Sequence, residues 1–200
     1  MANRRNKATG QGVQIYAGDD LLTRFGNGLT AIGEGKARQV LARAVNRTTR
    51  SAHSRTVRAL AKQSSIPLKL LRKAVRMDLA SHKGSGPIIG KIYATGKPIS
   101  LKHFKPKQFS FGVRAKVWGK TERFPSAFIY GDNWKSGKLA FDGHVMEREG
   151  KGRFPVVRIN GPSIPAEMLR GPANEAFHQT VRDMLPARIQ HELNRMLSKL

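Results

Sequence analysis

The first thirty or so residues are polar and Gly-rich, broken by one apolar knot at Leu21, Leu22 and Phe25. That composition predicts a flexible or partner-ordered arm over 1–35. From Lys36 to about Gln63, Ala37, Leu41, Ala44, Val45, Thr48, Ala52 and Ala59 recur at spacings of mostly three, four and seven. This is the period of a helix with one packed face, and Arg55 is the one charged residue on that stripe. At about 100° per residue, Lys36, Arg43, Arg47 and Arg50 fall well away from the stripe, with Arg58 nearer its edge. Such a helix is about 40 Å long at 1.5 Å per residue, enough to reach a neighbouring subunit. "SSIPLKLLRKAV" at 64–75 then restarts a helix: Ser64 or Ser65 can cap it, and Pro67 suits a first-turn position. Helices are expected over 36–76, and a helix-turn-helix is conceivable.

The period then changes to two. "GVRAKVW" at 112–118 puts Val113, Ala115 and Val117 on one face and Arg114, Lys116 and Trp118 on the other, a half-buried strand. Similar short runs, "PIIGKIYA", "SAFIYG", "KLAFDGHVM" and "FPVVRI", are separated by Gly- and Pro-bearing turns. They predict an antiparallel sheet of about five or six strands over 87–160, anchored by Phe154 and by Val156 or Val157. A Gly161-Pro162-Ser163 turn follows, where a backbone conformation that only glycine adopts cheaply is expected. The end of the chain, 163–200, is helical again. Its stripe changes phase at Pro186, from Phe177, Val181 and Met184 to Ile189, Leu193, Met196 and Leu197, which predicts a kink or a new start there. The fold class expected is α+β: one domain over 36–200, with a long basic N-terminal helix and a kinked C-terminal helix packed on an antiparallel sheet.

Charge alters this picture most. Thirty-seven Lys and Arg against thirteen Asp and Glu leave +24 on 200 residues, a field that repels its own copies and attracts polyanions. From Gly35 to Met77 there are twelve Lys and Arg and no Asp or Glu, so the long helix cannot neutralise itself by intrahelical pairs. Its negative charge must come from outside this segment. The absence of cysteine excludes disulfides and thiolate metal sites. No apolar segment follows the basic N-terminus, so no signal peptide is expected, and no window approaches the roughly 18 apolar residues of a membrane span.

Chemistry is harder to find. Six Gly-Lys pairs invite a phosphate loop, but the position five residues before each glycine holds Thr30, Ser85, Lys91, Arg114, Asp132 or Val145, where the motif needs glycine. "HELNR" at 191–195 starts a zinc-protease motif and places Arg195 where the second histidine belongs. "GPSIP" has Pro165 where a nucleophile elbow needs glycine. The candidate carboxylate pairs, Asp132 with Asp142 and Glu147 with Glu149, sit among turn residues, and a nuclease or hydrolase would have to use them. His144 could meet Glu147 or Glu149 on a strand or turn. No catalytic, cofactor-binding or metal-ligating residue is assigned.

Nucleic-acid binding is the strongest generic reading of the residues. "SLKHFKPKQFSFGVRAKVWGK" interleaves Lys102, Lys105, Lys107, Arg114 and Lys116 with Phe104, Phe109, Phe111 and Trp118, as basic grooves with stacking rings do. The same pattern also fits core aromatics flanked by solvated cations.

Three stretches in order carry a resemblance. They are "LARAVNRTTRSAHSRTVRALAKQSSIPLKLLRKAVRM" at 41–77, "GKPISLKHFKPKQFSFGVRAKV" at 96–117, and "FPSAFIYG" followed by "REGKGRFPVVRINGPSIPAEM" at 124–168. Together they resemble the minor tail protein Z family of tailed bacteriophages, the tail-completion or head–tail-joining proteins. The resemblance spans roughly residues 36–170 and departs from the family pattern in the arm and at the tip "GDNWKSGKLAFDG". It implies a structural virion protein, not an enzyme, assembled in the bacterial host cytoplasm at the head-proximal end of the tail. Its partners would be tail-terminator or tail-tube proteins and head connector proteins, around the DNA channel. It also implies a homo-oligomeric ring matching the sixfold symmetry of the tail, a hexamer. On that basis Arg43, Arg47, Arg50, Arg58, Lys105, Lys107, Arg114 and Lys116 are the residues expected to face partners or, non-specifically, DNA. The alternative is a free nucleic-acid-binding protein of phage or host.

Overall fold

The computed structural model describes residues 11–16, 19–130 and 141–199, and its centre is one long helix. With β1 as Gln11–Tyr16 and α1 as Asp19–Ala31, that helix is α2, Glu34–Ser64. Val40, Leu41, Ala44, Val45, Ala52, Val57 and Leu60 are buried on it, a wider arc than one stripe. The arc is wide because α2 is covered from two sides. The C-terminal helix α5, Gly171–Leu197, runs antiparallel along it: Gln63 meets Ala173 at one end and Arg43 meets Glu192 at the other. On another side lies an antiparallel sheet of order β1-β3-β2, with β2 at Val75–Asp78 and β3 at Ile89–Ala94. Within the segment expected as an arm, the apolar knot belongs to α1, where Phe25 and Leu29, followed by Ile32, enter the common core at helical spacing.

The junction after α2 differs from the expectation. Ser64 and Ser65 end α2 instead of opening the next helix: Ser64 Oγ donates to Leu60 O at 2.6 Å, and Ser65 is a left-handed C-cap with φ 61°. Pro67 stands at the N-cap of α3, Leu68–Ala74, which passes directly into β2. Residues 75 and 76, expected in a helix, therefore pair with Ala94 and Tyr93, and a second helix of two turns replaces a recognition helix.

The single sheet of five or six strands is also corrected. The strands form three separate three-stranded antiparallel sheets. Besides β1-β3-β2 there are β4-β5-β6, at Lys107–Phe109, Gly112–Val117 and Lys120–Pro125, and β7-β8-β9, at Phe128–Ile129, Val145–Arg148 and Val156–Arg158. Period two marks strands but not their partners: "PIIGKIYA" pairs with β1 and β2, both outside 87–160. Alternation within "GVRAKVW" holds, with Val113, Ala115 and Val117 buried and Lys116 and Trp118 exposed. Phe154 is no anchor, being 70% exposed, and Val157 is exposed too. They precede or lie on a three-residue edge strand, so the third sheet is anchored by Ile129, Val145 and Met146 on its other strands.

Of the kink or new start expected at Pro186, the new start does not occur. α5 runs unbroken from Gly171 to Leu197 with Pro186 inside it, where the ring removes one N–H from the helical ladder. The phase change is real: Ala173, Phe177 and Thr180 are buried on one stripe, and a second stripe begins at Leu185, just before the proline, and continues through Ile189 and Leu193.

The Gly161-Pro162-Ser163 turn needs glycine for a different reason from that expected. Gly161 is not among the positive-φ residues. Its N–H donates to Ile99 O at 2.7 Å, Ile99 N–H donates to Pro162 O at 3.1 Å, and a Cβ on Gly161 would lie 3.0 Å from Cε2 of the buried Phe104 ring. Glycine is required by close approach. The turn leads into α4, Ile164–Met168.

At the end of α4 sits the buried carboxylate of Glu167. Gln63 Nε2 donates to its Oε2 at 2.8 Å and Trp118 Nε1 to its Oε1 at 3.1 Å, and Arg170 pairs with the same Oε1. Gln63 also donates to the carbonyls of Glu167 and Arg170 and accepts from Ala173 N–H at 3.0 Å, so it caps the start of α5 from the end of α2. Trp118 and Gly119, at φ 51° and 74°, form the two-residue turn between β5 and β6. Such a turn needs positive φ at both positions, which is unfavourable for a tryptophan, and tertiary bonds hold it. Trp118 N–H donates to Ser64 O at 3.3 Å and Gly119 N–H to Ser65 Oγ at 3.0 Å. Burial pushes the Glu167 carboxyl up, but the hydrogen bonds from Arg170, Gln63 and Trp118 outweigh it, and the group titrates below its ordinary value of 4.5.

Two outcomes are expected. Gly161→Val forces a branched side chain against Phe104 and should lower unfolding stability by about 1–3 kcal/mol in urea denaturation; unchanged stability would show that the ring can move aside. The ionised form of Glu167 is favoured by folding, so its contribution is complete above about pH 4.5 and is lost as pH falls through the lower folded value. Glu167→Gln should therefore cost on the order of 2 kcal/mol at pH 7. It should also flatten the decline in thermal stability of the parent protein below pH 4.5. Parallel pH profiles for the two proteins would refute that role.

Candidate polyanion-binding groove

Arg43, Arg47, Arg50 and Arg58 fall within an arc of about 80° on α2 at 100° per residue, and Lys62 extends it by one turn. From Arg43 to Lys62 the row is about 28 Å long. Arg47, Arg50 and Arg58 are exposed. Arg43 is partly neutralised, because its guanidinium lies 3.9 Å from Oε2 of the buried Glu192, which also faces Arg195 at 3.6 Å.

At its C-terminal end the row enters two adjoining recesses that share Lys62. One, of about 520 Å³, is lined by Arg55, Arg58, Lys62 and Gln63 of α2 and by Pro172 at the start of α5. The other, of about 620 Å³, lies between the end of α2 and the second sheet, where Lys62 and Ser65 face His103, Lys105, Lys116 and Gly119. Lys105 ends a short 3-10 turn, Leu101–Phe104, in a left-handed conformation with φ 50°. Neither recess has an acidic residue in its lining. Among the described residues, Arg55, Arg58, Lys62, Lys105 and Lys116 enter no ion pair. Cations held together without counter-charges repel one another and favour an anionic occupant.

Of the residues singled out in the sequence, the structure thus gathers Arg58, Lys105 and Lys116. Arg55 and Lys62 were missed. The signals were a charge on an otherwise packed stripe and a lysine one turn beyond Arg58. Lys107 and Arg114 lie elsewhere: they face each other across β4 and β5, and Arg114 stacks 4.5 Å from the Phe109 centroid. Phe109 and Phe111 stack at 5.4 Å with planes 10° apart, and Arg123 covers Phe111 at 5.2 Å. This arginine–phenylalanine cluster is a surface distinct from the recesses. The other two aromatics of that stretch are committed to the fold, since Phe104 is buried and Trp118 donates to Glu167. Gly161, Pro162 and Ser163 form the turn described above, on the side of Phe104.

The acidic candidates do not assemble a centre. Asp132 lies outside the described residues. Asp142 is exposed and bound by Lys102, whose hydrogen bond and charge hold its carboxyl below the ordinary range. His144 Nε2 lies 3.8 Å from the same carboxylate, and His144 Nδ1 lies 2.7 Å from Ser100 Oγ. Burial pushes the imidazole pKa down, helped by Lys102 and Arg158 and opposed by Asp142. Ser100 is itself buried and bridged to Asn160, and the Asp142 carboxylate is already paired with Lys102, so the trio serves as a polar tie between the third sheet and the strand approach at Ser100. Glu147 lies on β8 opposite Val157, and the Glu149 N–H donates to Pro155 O in the turn. Among the described residues no three His, Asp or Glu side chains form a metal-holding group, and no helix is long and apolar enough to cross a membrane.

Comparison with known proteins agrees with the sequence resemblance. The family model described as Prophage minor tail protein Z matches residues 27–200. A protein of Escherichia phage N15 named "Tail completion protein" is 27% identical over 167 residues, covering 78% of this chain and 82% of its own length. No solved structure matches. A match over residues 27–200 covers both long helices and all but the first of the strands, and the chain belongs to the prophage minor tail protein Z family.

Proposed function

We propose that this chain completes the head-proximal end of a phage tail and joins it to the head connector, as one subunit of a sixfold ring around the DNA channel. Its partners are tail-terminator or tail-tube proteins on one side and connector proteins on the other, with non-specific contact to DNA in the channel. The observation that carries this reading is the row Arg47, Arg50 and Arg58, exposed on α2 and without a carboxylate partner among the described residues. The name of the N15 relative and the tail family support it. A rigid helix presenting spaced guanidinium groups suits bidentate contact with carboxylates or phosphates. The +24 of each subunit opposes self-association in free solution, so ring formation waits for a template that neutralises it.

Arg47→Gln, Arg50→Gln and Arg58→Gln together, supplied to a phage lacking its own copy, should lower infectious titre by about tenfold or more, with unjoined heads and tails accumulating. Titre and joining at parental levels, with the variant folded by circular dichroism, would overturn the role of the row. The isolated parent protein should be monomeric by light scattering at about 0.15 M salt. A stable ring under those conditions would contradict template-dependent assembly.

A further inference from the structure

We infer that the two recesses at the C-terminal end of α2 form one continuous site for the phosphate backbone of double-stranded DNA, read without regard to sequence. Both are concave, both are lined by cations and by no acid, and Lys62 belongs to each. Together they place Arg55, Arg58, Lys62, Lys105 and Lys116 along one path that continues the α2 row. Serine and histidine complete the donor set: the Ser65 hydroxyl, which accepts Gly119 N–H, retains its own proton to donate, and His103 lies beside it.

Three features select phosphate in a duplex over other polyanions. The recess beside the second sheet uses lysines, compact charges that contact phosphate oxygens without fixing a base or a planar carboxylate pair. Its one exposed aromatic ring is the His103 imidazole, since Phe104 is buried and the Trp118 indole N–H is directed to Glu167, whereas single strands are held on successive stacked aromatics. The path is also straight and stiff, because α2 forms most of it. A row of about 28 Å matches roughly eight base pairs at 3.4 Å each. The walls of the recesses are fixed by the buried Glu167 cluster, so the cations stay gathered despite mutual repulsion. The inference deepens the channel reading above, and its test reads the groove alone, so either can fail without the other.

The test is a fluorescence-anisotropy titration of the full chain with two 20-base-pair duplexes of unrelated sequence, across a range of salt. Lys62→Gln, Lys105→Gln and Lys116→Gln are combined in one variant, and exposed lysines outside the recesses in a control, Lys73→Gln, Lys91→Gln and Lys151→Gln. Each variant lowers the net charge from +24 to +21. The parent should bind both duplexes alike. The groove variant should bind about tenfold or more weakly, with its log–log salt slope reduced by about 2.7 for three lost phosphate contacts, while the control stays within about threefold of the parent. Equal losses in the two variants would overturn the site in favour of a diffuse field. Tighter binding of polyglutamate than of duplex at the same salt would assign the groove to an acidic polypeptide and overturn the inference. So would a strong preference for single strands or for one duplex sequence.

Discussion

One buried carboxylate holds together the part of this molecule that carries its charge. Glu167 receives hydrogen bonds from the end of α2 through Gln63, from the β5–β6 turn through Trp118, and from Arg170 at the corner between α4 and α5. The first two elements come from distant parts of the chain, and the carboxylate ties them to one point. Burying a carboxylate is costly unless every oxygen is satisfied by good donors. Here the donors are two neutral N–H groups and one guanidinium, and folding favours the ionised form. The strained Trp118 backbone, at φ 51°, sits beside this cluster and is held by its N–H to Ser64 O and by Gly119 N–H to Ser65 Oγ.

Electrostatic asymmetry follows from that arrangement. The few acidic side chains with assigned roles are turned inward or spent locally: Glu167 on its cluster, Glu192 between Arg43 and Arg195, and Asp142 on Lys102. What they leave outside is a row of arginines on one helix and a lysine-lined cleft at its end. An isolated subunit gains nothing from such a surface alone, because like charges held close raise its own energy. The surface makes sense when a polyanion or an acidic neighbour completes it. The stacked Phe109 and Phe111 with Arg114 and Arg123 offer a second, chemically different face on the same subunit, of the aromatic–arginine kind that dominates protein interfaces.

Much of this was legible in the sequence. Helical spacing gave α2 to within two residues at its start, and the strand alternation at 112–118 and the change of stripe phase at Pro186 were both present. The arginine row followed from the same periodicity. What the pattern could not reveal were partners far apart in the chain. The three sheets were read as one because period two identifies a strand and not its neighbour, and β1 lies about eighty residues from β3. Gly161 was given the wrong reason because its constraint is the Phe104 ring, which only folding brings there. Glu167 drew no attention for the same cause: in sequence it is one acid in "PAEM", and its two distant donors stand at positions 63 and 118. Lys62 escaped as one lysine among many, and its place where two recesses meet is a property of the fold alone.

The central claim is that the uncompensated cations of α2 and its groove face a polyanion at the head-proximal end of the tail. Imaging of intact particles at a resolution that traces α2 tests this most directly. The expected image shows the subunits in a ring at the junction with the head, with Arg58, Lys62, Lys105 and Lys116 turned toward channel DNA. Subunits placed at the far end of the tail, or a groove turned to bulk solvent with no density against it, would contradict the claim.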